Sequence, residues 1–76
     1  MTESNLIEYL VVLERTSRNY GAYSPDLPGC VATGRTPEET LESMREAITM
    51  HIDGLKTDGL RIPDSISRGD YIRVAI

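Results

Sequence analysis

The sequence predicts an α+β fold in the order strand, strand, strand, helix, strand, and three observations carry that reading. Short runs rich in β-branched and aromatic residues fill the first half of the chain. Thr36-Pro37-Glu38-Glu39 is a helix-start signature that opens a long apolar stripe. Beyond the stripe, Ile72, Val74 and Ile76 alternate with Tyr71, Arg73 and Ala75, the period of a strand with one core face. The 76 residues make one small domain, residues 1–76, which buries only about 60% of the surface its unfolded chain exposes.

The first strand is expected over Ile7–Glu14, which is too short for a buried helix. Ile7, Tyr9, Val11 and Leu13 share one face, and Leu10 and Val12 sit between Glu8 and Glu14 on the other. Apolar centres on both faces place this strand inside its sheet. The polar stretch Arg15–Asn19 turns the chain into a second, antiparallel strand at Tyr20–Ser24. Pro25, Pro28 and Gly29 then forbid regular structure, because each proline removes an amide donor and restricts the residue before it. Cys30–Thr33 resumes an extended pattern that Gly34 ends.

Thr36 caps the helix, Pro37 suits its first position, and Glu39 falls three residues after the cap, as a capping box requires. Leu41, Met44, Ala47, Ile48, Ile52 and Leu55 form the buried stripe, and Gly59 is the expected left-handed terminator of a helix over Glu38–Asp58. After an extended linker comes the last strand, Asp70–Ile76. A right-handed crossover pairs it with the first strand, giving a four-stranded mixed sheet of order 3-2-1-4 with the helix on one face. The other face is left apolar, so a second copy of the chain or another protein is expected to cover that face or the edge of the last strand. The alternative is that residues 60–69 fold over it.

Composition excludes several classes of function. Lys and Arg number 8 against 12 Asp and Glu, a net charge of −4, which argues against direct nucleic-acid binding and favours a basic partner. One cysteine cannot form an internal disulfide, and no Cys or His cluster completes a metal pattern, so no cofactor or metal is predicted. The apolar run Leu10–Leu13 is far shorter than a membrane span. A soluble cytoplasmic protein is expected. His51 reads as a boundary residue of the helix stripe, and Cys30 as a small core residue. Glu8 and Glu14 stand about 20 Å apart along a strand, too far to share an ion, so no catalytic residue is assigned.

The segment from Tyr23 to Glu39, above all Pro25-Asp26-Leu27-Pro28-Gly29-Cys30 followed by Gly34, Thr36 and Glu39, resembles the HicB-type antitoxins of toxin–antitoxin pairs. The likeness continues through Leu41–His51 and Gly59-Leu60-Arg61-Ile62-Pro63. It implies a truncated ribonuclease H-like fold without catalytic carboxylates. It also implies a non-enzymatic role: neutralising a HicA-type toxin, a small basic ribonuclease with a double-stranded-RNA-binding-like fold that cleaves mRNA with a histidine of its own. Many members carry a C-terminal DNA-binding domain, whereas this sequence stops at Ile76, so no direct operator binding is expected. A homo-oligomer, a dimer or higher, is expected. The alternative is an orphan HicB-like oligomeric binding or regulatory module with no toxin. Candidate partner-binding residues are Asp26, Leu27 and Pro28 in the proline loop and Tyr71 and Arg73 in the last strand. The loop itself reads equally as an interaction surface and as a rigid corner.

Overall fold

The computed structural model describes residues 6–76; the first five residues of the expected domain lie outside the described residues. Three strands, β1 (Val12–Arg15), β2 (Tyr20–Tyr23) and β3 (Val31–Gly34), precede one helix, α1 (Pro37–Thr57). The strands form an antiparallel sheet in the order β1-β2-β3. The β1–β2 turn is tied by Thr16, whose amide donates to the Asn19 carbonyl at 2.8 Å and whose hydroxyl oxygen accepts from the Asn19 amide at 3.0 Å.

The register places Leu13, Ala22 and Ala32 in one cross-strand row. These residues face the helix and pack with Leu27, Cys30 and Met44, flanked by Tyr9, Val11, Ala47, Ile48 and Ile52. The neighbouring row, Val12, Tyr23 and Val31, points away from the helix, and Tyr23 and Val31 are 40% and 63% exposed. On this face the exposed apolar residues are Tyr23 and Val31, beside the polar Glu14 and Thr33 of the next row.

Local chemistry sets both helix ends. The Thr36 side chain accepts from the Glu39 amide at 3.1 Å, while the Glu39 carboxylate accepts from the amide of Arg35 at 3.2 Å, one residue before the cap. Glu38 and Glu39 in the first turn and Lys56 in the last complement the helix dipole. At the other end the Leu60 amide donates to the Leu55 carbonyl at 2.8 Å and the Gly59 amide to the Lys56 carbonyl at 3.1 Å. With Gly59 at φ 70°, this is a Schellman termination.

Two expectations about the sheet are corrected. Among the described residues there is no fourth strand: Asp70–Ile76 enters no ladder, so the order 3-2-1-4 and the ribonuclease H-like layout that depends on it are absent from the chain's own sheet. Consequently β1 is an edge strand, not an interior one. It is also shorter than Ile7–Glu14. Val12 pairs with Tyr23, and the next residues on the β2 side are Ser24 and Pro25, where the missing proline amide ends the ladder. Residues 7–11 continue beside the sheet without ladder partners.

Candidate interaction surface

The proline loop is two turns in series. The Leu27 amide donates to the Ser24 carbonyl at 3.1 Å, and the Cys30 amide to the Leu27 carbonyl at 3.1 Å. Pro25 and Pro28 each occupy the second position of a turn, and Gly29 at φ 83° fits the third position of a type II turn. This geometry drives Leu27 into the core, where it is completely buried, and leaves Pro28 at the surface. Asp26 stands half-buried between them, facing the segment that follows the helix.

That segment is laid against the body by three contacts. The Tyr9 hydroxyl donates to the Pro63 carbonyl at 2.6 Å. The Ser65 hydroxyl donates to the Glu8 carbonyl. The Asp26 carboxylate accepts three hydrogen bonds, from the amides of Ile66 and Ser67 at 3.0 Å each and from the Ser67 hydroxyl at 2.8 Å. Hydrogen bonding to its charged form holds the Asp26 carboxyl below the usual aspartate value: the two Ser67 bonds act most strongly, burial opposes them, and the Ile66 amide adds a smaller lowering. Burial and the nearby carboxylates of Asp26 and Asp64 push the Tyr9 phenol up.

Beyond Gly69, which lies against the Leu10 side chain, the chain leaves the body. Tyr71 is 100% exposed, Ile72 86% and Val74 70%. Arg73 is exposed as well. The loop and the tail are thus brought together through Asp26 and Ser67, while Tyr71 and Arg73 stand apart from Pro28 on the projecting segment. Residues 60–69 cover only part of the region near Glu8–Leu10. Between residues 6–11 and the helix a groove of about 1040 Å³ stays open, with Leu10, Val11, Leu41, Ile48 and Ile52 among its walls.

Cys30 and His51 line a second, shallow hollow of about 360 Å³ with Val31, Ala47 and Met50, a meeting the linear sequence does not display. Burial pushes the Cys30 thiol up, so it is a poor nucleophile at neutral pH. Among the described residues no group of three or more His, Cys, Asp and Glu side chains is placed to hold a metal ion, and no helix is long and apolar enough to cross a membrane. The arrangement suits contact with another macromolecule: an acidic helix flank of Glu38, Glu42, Glu46 and Asp53, a bare sheet face and an open groove. Nothing in the sequence marks Ser65 and Ser67 as tail anchors, and Asp26 reads there only as a partner contact. An acid set between two loop prolines is the one sequence signal for the latch, and it does not reveal a partner about 40 residues away.

Comparison with known proteins gives the surface its context. A family model described as a HicB-like antitoxin of bacterial toxin–antitoxin systems matches residues 9–73. An uncharacterized 14.9 kDa protein from the rep-hol intergenic region of Haemophilus phage HP1 is 34% identical over 84% of this chain and 48% of its own length, so this chain spans about half of that relative. A UPF0150 protein of Helicobacter pylori is 39% identical over 64% of this chain and 68% of its own, and one of Thermoplasma acidophilum is 34% identical over 75% and 84%. Among solved structures, a chain of a HicA3 and HicB3 toxin–antitoxin complex superposes with a TM-score of 0.63 at 29% identity, covering 72% of this chain and 64% of the other. With a match over most of its length, and with the proline loop and capped helix in the places the resemblance gave them, this chain belongs to the HicB-like antitoxin family.

Proposed function

We propose that this protein is the antitoxin of a HicAB-like pair and that it neutralises a small, basic, RNA-cleaving HicA-type toxin in the cytoplasm without catalysing a reaction itself. The observation that carries the reading is the likeness to a chain from a HicA3 and HicB3 complex, at an identity that reaches beyond shared architecture. The charge supports it: a toxin that grips RNA phosphates carries a basic face, and this chain has a net charge of −4 with the helix-flank acids exposed. Carboxylates take the place of phosphates and the body of the protein excludes substrate. Charge speeds the encounter and apolar contacts hold the complex.

Asp26, Pro28, Tyr71 and Arg73 are the proposed contacts; Leu27 contributes by holding the loop in shape from inside the core. The exposed row of Ile72 and Val74 adds self-association to this reading, with no direct contact to nucleic acid. The test is co-expression with the product of the neighbouring short, basic reading frame. That product is expected to arrest growth alone and to be silenced by this chain. Affinity of the purified pair is expected to fall steeply between 50 and 500 mM salt, conditions that shorten the screening length from roughly 14 Å to about 4 Å. Growth arrest that this chain leaves untouched rejects the pairing, and affinity indifferent to salt rejects the electrostatic part.

A further inference from the structure

We propose that two copies of this protein exchange their C-terminal segments, residues 70–76 of each adding as a strand along the open edge at residues 7–11 of the other. The proposal specifies how the self-association above is built and does not depend on the toxin.

The donor is the projecting tail. Ile72, Val74 and Ile76 form an apolar row with the period of a strand, yet all three are exposed. The chain is fixed to the body as far as Ser67 by the Asp26 carboxylate, passes Leu10 at Gly69, and makes no ladder afterwards. The molecule is 50 Å long against 27 Å in its other two dimensions, whereas a 21-residue helix accounts for only about 31 Å.

The acceptor lies on the same polypeptide. Residues 7–11 are without ladder partners, and the groove beside them offers Leu10, Val11, Leu41, Ile48 and Ile52. Backbone that enters no ladder and lies beside an apolar groove is the arrangement that takes an added strand; within residues 7–11 the Glu8 carbonyl is already engaged by the Ser65 hydroxyl, which leaves the backbone groups on either side of it to pair. Seven residues of strand reach about 23 Å, enough to run the length of residues 7–11 at about 17 Å. One side of the added strand, Ile72, Val74 and Ile76, enters the groove, and the other, Tyr71, Arg73 and Ala75, stays outside.

A second copy fits better than a foreign strand. Each chain has one such donor and one such acceptor, and they meet at the contact of Gly69 with Leu10. A two-fold pair therefore satisfies both at once and closes on itself. A foreign strand would fill the groove and leave the apolar row of the tail in water. The seven donor residues with the groove they enter also approach the 20–30 residues a side of a standard interface.

The test uses the purified full chain without toxin, so its failure leaves the toxin experiment standing. Sedimentation equilibrium is expected to give a dimer, with the dissociation constant of the Ile72→Asp, Val74→Asp double variant raised at least about 100-fold, since it forces two carboxylates into an apolar groove. Both positions are exposed in the single chain, so circular dichroism of the variant is expected to match that of the parent. The unaltered protein supplies the second readout. In an equal mixture of carbon-13-labelled and unlabelled copies, isotope-filtered spectra are expected to show contacts between the Val74 and Ile48 methyl groups of different molecules. A monomer at millimolar concentration, a dimer indifferent to the double variant, or contacts confined within one molecule would each overturn the exchange.

Discussion

Asp26 shows how much one side chain can organise. Its carboxylate is the acceptor for two amides and one hydroxyl of the tail, and those bonds are the reason its acidity is strengthened. A group whose folded value lies below its unfolded value stabilises the fold above the unfolded value and loses that contribution as pH falls through the folded one. The Ser67 amide is therefore expected to lose hydrogen-exchange protection as pH is lowered below the usual aspartate range, near 4. Asp26→Asn is expected to remove this pH dependence; unchanged Ser67 protection down to pH 2.5 would contradict the latch.

Two glycines at the same scale predict opposite signs. A Cβ at Gly34 would stand 2.6 Å from the Thr40 hydroxyl oxygen and 2.8 Å from its amide nitrogen. Thr40 is itself completely buried, with its hydroxyl bonded to the Thr36 carbonyl at 2.7 Å. Gly34→Ala must therefore push the helix start off the sheet, at a cost of about 1–3 kcal/mol. At Gly54, in the exposed last turns of the helix, a Cβ meets nothing within 4 Å, so Gly54→Ala is expected to stabilise by about 0.5–1 kcal/mol. Urea denaturation of the two variants checks both signs.

At the level of elements, legibility followed the range of the interaction that makes each one. The helix was readable because its determinants are local: cap, first-turn proline, periodic stripe and terminating glycine lie within the segment they specify, and its observed span Pro37–Thr57 departs from the expected Glu38–Asp58 by one residue at each end. The hairpin and the loop were readable for the same reason. The last strand was not, because an alternating pattern states which face of a strand is apolar but not whose edge it meets. Residues 60–67 are committed to Tyr9, Glu8 and Asp26, contacts with no local signature, and they deliver the tail outward. The first strand was overextended because its apolar run says nothing about Pro25 on the neighbouring strand, where the ladder stops. Of the interaction surface, the loop was visible in advance and the Asp26–Ser67 latch was not.

For the molecule as a whole, most of the hydrophobic core sits between one helix and a small sheet. Among the described residues its buried apolar members are few: Ala22, Leu27, Cys30 and Met44. Such a core is adequate for a small fold but leaves its surroundings half-covered, with a bare sheet face, an open groove and an exposed apolar row. These are properties of a surface prepared for company. The acidic charge is spread over the same molecule, so association with a basic protein relieves repulsion among its own carboxylates as well as pairing them.

The exposed tail is also where proteolysis is expected to begin. Proteases bind their substrates as extended, unpaired backbone, and residues 68–76 present this shape with Arg68 and Arg73 on the surface. Dilute samples are expected to be clipped by trypsin at these two arginines before the body is attacked, and concentrated samples to resist, as mass spectrometry of a timed digest can follow. On the proposed exchange, lifetime becomes a gauge of assembly: a copy that finds its fellow shelters the segment whose removal would prevent the next encounter.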